Sequence, residues 1–504
     1  MTTPLRLCLL LVLLTVTAYY AVLHARVLRI GHPITQDEPG WIELTAAGNP
    51  YTPAGVLAGA NVYGPAYPLW ARPFTAAFAN PYLAHRWASS VALAGLLGLL
   101  VWSLRREGCG GIETAAGLAL VYVLNVSSHS LSASADLLGA ALYVATLAVS
   151  RRGTWPALLA GLALALMAAL TKPYFALGWV IVASHQLLFA APRRALAYLG
   201  VSGLVGLLMA GGLQAVAPYY FLSTLVVHGT ATLRSVTVLL NQGAEFALLT
   251  GGVLILALLQ RPGRRRVSFS LHRPLLDPAV DLWPWAALLA AAALLGSLGW
   301  HPGNYLAYYY HLLLVPLVIV ALARLRDWPR AGRALLVANL LVLGRLLPPQ
   351  PGADGWSGLE ASVAAVRGPI LAEPLLEPFA RSRPRFELLT HGQTASVRQA
   401  LDPLGPAAYA GLRRDLGRAA DRTAARILAG EFAAIYISYQ EIGGHTVWSY
   451  DQHQVLPSLF ARYQLAGETL VYPYAAPYWD RMRHGEFAYH VTQWVPKVVP
   501  PAGR

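Results

Sequence analysis

Charge is scarce in this chain. Asp, Glu, Lys and Arg together supply 12% of its 504 residues, against about 25% in soluble globular proteins. That shortage excludes an ordinary water-soluble domain. Lysine is almost missing, since Lys172 and Lys497 are the only two. Cysteine is nearly absent as well. Cys8 sits in the first apolar run and Cys109 in a short basic loop, so no disulfide framework exists. The chain has no GxxxxGK[ST] loop and no glycine fingerprint joining a strand to a helix, which removes the two commonest signatures of nucleotide binding. It also lacks the internal repeats that many transporters show.

Apolar side chains are what the sequence has instead. Hydrophobic residues make up 56% of it, and many runs approach the ~20 residues that cross a bilayer. The runs fall at 5–29, 82–104, 112–128, 136–150, 155–170, 174–191, 196–217, 243–260, 283–299, 304–323 and 334–348. The expected fold class is an α-helical polytopic membrane protein with about eleven transmembrane helices. The first run is read as a retained span rather than a cleaved signal peptide, because no small-x-small site follows its apolar core.

The formal charge of +14 is distributed in short clusters between runs, not along one amphipathic face. It therefore calls for a membrane explanation and not a nucleic-acid partner. Arg105-Arg106, Arg151-Arg152, Arg193-Arg194, RPGRRR at 261–266, and Arg324, Arg326, Arg330 and Arg333 occupy every second loop. The positive-inside rule makes those loops cytoplasmic. The N-terminus is then cytoplasmic, and the chain after the last run is extracytoplasmic. We expect a multi-pass protein of the plasma (inner) membrane.

Residues 1–348 form the expected membrane domain, and 349–504 change character. The second part opens on Pro348-Pro349-Gln350-Pro351-Gly352 and carries Asp, Glu and Arg throughout. GPILAE (368–373) and FAAIYIS (432–438) read as short buried strands. RRDLGRAADRTAARILAG (413–430) reads as a helix ending at Gly430. The expectation is a C-terminal extracytoplasmic α/β domain.

The alternation of loops gathers scattered polar residues on one outer face. An outer loop over 30–81 opens on the acidic pair Asp37-Glu38, within PITQDEPGW. Asp136 begins the fourth span, Lys172 follows the fifth in a TKP turn, Arg234 follows the seventh, and His301 precedes the tenth. Ionisable residues that face one cavity at a membrane boundary suggest a functional site. Each has a plainer reading. The acidic pair could be solvated loop charge, Asp136 a helix N-cap, and Lys172 a snorkelling side chain. The aromatics of YGPAYPLW (63–70) could be an interfacial belt, and His301 an ordinary loop histidine with no zinc spacing around it.

Taken in order, QDEPGW, Gly48-Asn49-Pro50-Tyr51, YGPAYP (63–68), SADLLGAAL at Asp136, the TKP turn and NYLAYYYHLLLVPL (304–317) resemble the GT-C integral-membrane glycosyltransferases. The similarity is greatest to family 39, which includes relatives of protein O-mannosyltransferases and aminoarabinose transferases. It covers about the first 350 residues. Two features depart from that pattern: Pro39-Gly40-Trp41 after the acidic pair, and the lack of an arginine just before Asp136.

The resemblance implies a polyprenyl-phosphate sugar donor and an acceptor that is a glycan, a lipid or a protein. Asp37 would be the base that takes the acceptor's proton, Glu38 would orient it or contact the sugar, and Asp136 would support the acceptor or donor hydroxyls. Lys172 and Arg234 would hold the leaving phosphate, with Tyr63, His301, Asn304 and Tyr305 lining the substrate site. The displacement would be single and inverting. The sequence requires no cofactor. It leaves open a divalent metal held by Asp37 and Glu38 through oxygen ligands. The other reading is a polytopic transporter or lipid flippase without glycosyl transfer.

Overall fold

The structure is a computed structural model. It describes residues 3–34, 38–46, 49–53, 55–56, 63–126, 135–222, 224, 250–258, 281–297, 306–325, 329–345, 355–380, 383–389, 401–405, 407, 409–442, 445–448, 455–471 and 489–497. Asp37, Arg234, His301, Asn304 and Tyr305 lie outside these residues.

The molecule is mostly helical with a small C-terminal sheet. The bundle comprises α1 (Thr3–Val27), α2 (Glu38–Ala46), α3 (Ala66–Ala77), α4 (Pro81–Arg106), α5 (Gly111–Val126), α6 (Asp136–Ser150), α7 (Trp155–Ala169), α8 (Leu177–Phe189), α9 (Pro192–Val216), α10 (Leu282–Ser297), α11 (Leu306–Arg324) and α12 (Pro329–Arg345). Residues 250–258 are helical too. A helix therefore stands at each expected apolar run, although the run at 243–260 is described only in part. Among the described residues, three helical segments are long and apolar enough to cross a membrane: Arg6–Val27, Pro81–Arg106 and Pro192–Val216. Gly111–Val126, Asp136–Ser150, Trp155–Ala169, Pro173–Phe189, Leu282–Gly296 and His311–Arg324 are apolar but shorter.

The long helices have the burial pattern of chains solvated by lipid. On α1 a single stripe, Leu9, Leu13, Val16, Tyr20, Leu23 and Val27, is buried, while Leu7, Leu11 and Leu14 are exposed. On α9, Leu204, Leu207, Leu208 and Val216 are exposed. A helix that is apolar all round yet packed on one stripe would be unstable in water and is satisfied by hydrocarbon.

The bundle has two chemically distinct ends. Helix α4 starts at Asn80, whose side chain accepts from the Tyr82 and Leu83 N–H groups at 2.9 and 3.2 Å, with Pro81 as its first residue. It finishes ~39 Å away on Arg105 and Arg106, where cations favour the helix dipole. At that finishing end Arg151 pairs with Asp281 at 2.7 Å and with Glu107, and Arg333 approaches Glu113 at 3.9 Å. The starting end of α4 carries Glu38, Asp136 and Lys172, together with the C-terminal sheet.

That sheet has the order β2-β1-β3-β6-β5, with β4 paired to β3. The strands are β1 (Ile370–Ala372), β2 (Phe386–Leu388), β3 (Ala434–Ile442), β4 (His445–Trp448), β5 (Tyr463–Val471) and β6 (Tyr489–Pro496). β1 is parallel to β2 and β3, and β6 is antiparallel to β3 and β5. One face packs Ala434 and Tyr436 against α13 (Trp356–Ala365). The other packs Ile435 and Ile437 with Ile427 of α14 (Ala410–Leu428) and Leu459 of α15 (Val455–Arg462). Both faces of the first half of β3 are covered, so residues 434–437 (AIYI) read as a continuous apolar run. Helix α14 ends before Gly430, whose φ of +72° suits a glycine stop.

Glu373, directly after β1, is 3% exposed. One carboxyl oxygen accepts from the Ser438 N–H at 2.8 Å, and the other has no partner among the described residues. Burial raises its pKa from 4.5 to about 7, against the lowering effect of the Ser438 hydrogen bonds. The folded state thus holds a proton that the unfolded chain releases near pH 4.5. Stability is full below that pH and falls as pH rises through about 7. Glu373→Gln should match the parent in thermal unfolding at pH 5 and exceed it at pH 8. Parallel melting curves at both pH values would remove Glu373 as the source of any pH dependence.

Candidate functional site

Two buried ion pairs stand at the end of the bundle that faces the sheet. The first joins α2 to α4. Arg86 and Glu38 are both 0% exposed. The guanidinium forks onto the carboxylate, with Nε donating to Oε1 at 2.9 Å and Nη2 to Oε2 at 2.7 Å. Arg86 also donates to the carbonyls of Val27 at 3.3 Å, His32 at 2.6 Å and Ile30. The Ile34 N–H donates to Glu38 Oε2 at 2.7 Å. One arginine thereby ties the end of α1, the segment leading to the acidic pair, and the first residue of α2. The bidentate geometry is one that lysine could not supply. Both Glu38 oxygens are engaged, so binding a metal through them would first require breaking this fork.

The second pair joins α6 to the turn after α7. Lys172 Nζ donates to Asp136 Oδ1 at 2.8 Å and Oδ2 at 2.9 Å, and Tyr174 Oη donates to Oδ1 at 2.6 Å. Asp136 and Lys172 are each 3% exposed. Asp136 does not cap its own helix. Ala135 is the N-cap residue, and the carboxylate turns to the cation and phenol across the gap. The local sequence makes this approach feasible. A Cβ on Gly139, one turn into α6, would overlap the Phe175 ring and the Thr171 hydroxyl. Glycine there lets the Thr171–Phe175 turn pack close to the helix start.

The segment leading into α3 closes over this pair from one side. The Gly64 N–H donates to Thr171 O at 3.2 Å, and the Ala66 N–H to Leu170 O at 3.0 Å. A side chain on Gly64 would overlap the Leu170 carbonyl. Docked in this way, Tyr63 brings its ring centroid to 4.7 Å from Lys172 Nζ, a cation–π distance. Trp41 stacks on Tyr63 at 4.6 Å with 14° between planes, and meets Tyr67 edge-on at 4.9 Å. Tyr67 Oη lies 3.2 Å from His85 Nδ1. His311 of α11, 3% exposed, is within electrostatic range of both Asp136 and Lys172.

The sheet domain meets the same end of the bundle. His32 stacks on Trp356 at 4.4 Å, and Trp356 on Phe379 at 5.3 Å. Tyr82 Oη donates to Glu377 Oε2 at 2.7 Å. Leu401, Leu412 and Leu416 share an apolar cluster with Val56 and Leu222.

Of the residues singled out from sequence, Asp136, Lys172 and Tyr63 come together. Glu38 sits in the separate Arg86 fork. Asp37, Arg234, His301, Asn304 and Tyr305 lie outside the described residues. Sequence reasoning missed Arg86, Tyr174 and His311. Arg86 carried a usable signal, because an arginine inside an apolar span demands a buried partner. Tyr174 was hidden among many tyrosines. Among the described residues, no group of three or more His, Cys, Asp or Glu is arranged to hold a metal ion. No family model, curated protein or solved structure matches the chain.

Removing one member of a buried pair strands the other, at a typical cost of about 3–5 kcal/mol. Arg86→Met should lower the stability of the purified protein by that order, and the double variant Arg86→Met/Glu38→Gln by less. Thermal unfolding in one detergent measures both. A single variant as stable as the parent would mean that the fork does not hold the loop.

Proposed function

We propose that the chain is a GT-C-like membrane glycosyltransferase. It would move a sugar from a polyprenyl-phosphate donor to an acceptor at the extracytoplasmic face. The observation that carries this reading is the Asp136–Lys172–Tyr174 cluster. It is a desolvated cation and carboxylate at the bundle end opposite the arginine-bearing loops, beside the loop of the acidic pair. By the positive-inside rule the arginine-bearing end is cytoplasmic. In this reading about eleven helices cross the membrane, the N-terminus is inside, and the sheet domain is outside.

The chemistry follows from the charges. The oxygen of an acceptor hydroxyl attacks the anomeric carbon as the bond from that carbon to the phosphate oxygen breaks. The bonding electrons leave with the lipid phosphate, which gains negative charge. Lys172 supplies a compact ammonium for it. Until donor binds, Asp136 and Tyr63 hold that ammonium, so the cation is neither stranded nor free to recruit a stray anion. Asp37 takes the acceptor's proton. Glu38, gripped by Arg86, fixes the backbone next to Asp37 rather than touching the sugar. One displacement inverts the anomeric centre.

Detergent-solubilised protein should release polyprenyl phosphate from a labelled lipid-linked sugar with no gradient present, whereas a transporter or flippase would not. Asp37→Asn should slow that release ~10²–10⁴-fold with little change in thermal stability. If more than half the turnover survives, the base is elsewhere.

Lys172→Met should weaken donor binding by about 1.5–3 kcal/mol, the size of a charge-assisted contact, and Lys172→Arg should recover only part. Because Lys172→Met also strands Asp136, the comparison should include Lys172→Met/Asp136→Asn, which removes both charges. Donor affinity equal to the parent's in that double variant would take Lys172 out of the phosphate site.

A further inference from the structure

Helix α14 carries five arginines and two aspartates; two of the arginines are paired, two stand clear, and Arg422 turns its Nε back to the Arg418 carbonyl at 3.1 Å. Arg413 is engaged by Asp402 at 3.3 Å and by the Gly405 carbonyl at 3.0 Å. Arg426 is engaged by Glu387 at 2.6 Å and Glu431 at 2.7 Å. Arg414 and Arg418, one helical turn apart, are exposed, with no acidic partner among the described residues. On the opposite face of the same turns, Leu412 and Leu416 are buried against Val56 and Leu222.

That burial fixes where the two free arginines stand. Leu222 closely follows α9, a helix long and apolar enough to cross a bilayer. The end of α9 is fastened to the outer loop, with Asn49 Nδ2 donating to Val216 O at 2.7 Å and the Tyr219 N–H to Tyr51 O at 3.2 Å. Val216, the last residue of α9, is 68% exposed. Two further apolar side chains are exposed next to the start of α14, Leu404 at 44% and Tyr409 at 39%. Tyr409 also lies 5.7 Å from the Tyr219 ring. An apolar pair and a cationic pair thus sit side by side at the level where a membrane-length helix ends. Amphipathic helices bind bilayer surfaces with this combination.

We propose that the first half of α14 rests on the outer surface of the bilayer and binds anionic lipid headgroups. Leu404 and Tyr409 enter the acyl boundary, and Arg414 and Arg418 grip the phosphodiesters. Guanidinium groups suit this partner because they bind phosphate oxygens in pairs. A soluble anion would have no use for the two apolar side chains. The contact weakens along the second half of the helix because the exposed Asp421 offsets the charge of its neighbour Arg422 and Arg426 is taken up by Glu387 and Glu431. This inference rests on the bundle spanning a bilayer with the sheet domain on the far side from the basic loops. It does not depend on glycosyl transfer.

The test uses the full chain in nanodiscs, in a background lacking Cys8 and Cys109. Gly411→Cys, where a side chain meets open space, carries an environment-sensitive fluorophore. Phosphatidylcholine discs receive increasing fractions of phosphatidylglycerol, with spin-labelled lipid as quencher. Quenching at position 411 should rise with phosphatidylglycerol, weaken with salt and ignore inorganic phosphate. In R414Q/R418Q, lipid affinity at this position should fall about fivefold for each arginine removed. Quenching indifferent to phosphatidylglycerol, or unchanged in the double variant, overturns the proposal. Failure of the parent protein to enter discs would instead overturn the membrane reading beneath it. The basic loops at the other end of the bundle do not confuse the result, because the probe reports only on α14.

Discussion

The Arg86–Glu38 fork is the constraint on which the sheet-bearing end of the bundle depends. A guanidinium with 0% exposure is tolerable only if most of its N–H groups are satisfied and its charge is met. Arg86 satisfies that condition by drawing in one carbonyl from the end of α1, two from the segment after it and one carboxylate from α2. The requirement runs in both directions. Residues 28–34 lie in no helix or strand, so their carbonyls need partners from elsewhere. Arginine supplies the donors and this segment the acceptors, so the stretch after α1 is fastened to α2 and α4.

From that fixed path the rest of the site follows. With α2 set, Trp41 stacks on Tyr63, and Tyr63 comes to Lys172. Two glycines permit the remaining approaches. Gly64 lets the loop backbone reach the Leu170 and Thr171 carbonyls, and Gly139 lets Phe175 lie against the first turn of α6. The second ion pair is thereby formed between elements that no short stretch of sequence links. The His32–Trp356–Phe379 stack and the Tyr82–Glu377 hydrogen bond then seat the sheet domain on the same framework. That domain packs directly on the loop that leads to the acidic pair.

Much of the helical layout was legible because its signal is local. Apolar runs and arginine-bearing loops are visible in windows of ~20 residues, and β1, β3 and α14 announced themselves by short patterns. The outer loop was not legible in the same way. Pro39-Gly40 reads as a helix breaker, yet Pro39 occupies the first turn of α2, where its missing N–H costs nothing. Pro73 lies inside α3 and hid that helix. β6 (YHVTQWVP) alternates too weakly to stand out, and β2 is only three residues long. In the site, sidedness alone put Asp136 and Lys172 on one face. Their bonding to each other depended on Gly139 and the TKP turn. Arg86 was overlooked because it stands inside a run that scores as apolar.

The two ion pairs differ in a way that separates their roles. Arg86 uses its donors on four acceptor groups of the protein, in a geometry that no competing anion could match without unfolding the loop. Lys172 meets the Asp136 carboxylate and the Tyr63 ring. An ammonium held by a carboxylate can exchange that partner for another anion, provided the newcomer is equally desolvated. Asp136 then keeps the Tyr174 hydroxyl as a donor, so the exchange does not leave a bare carboxylate behind. A buried arginine with saturated donors acts as a rivet, whereas under the proposed function Lys172 serves as the receptor for the leaving phosphate. In a chain that uses arginine at nearly every other basic position, lysine occurs within the bundle only at this second kind of place.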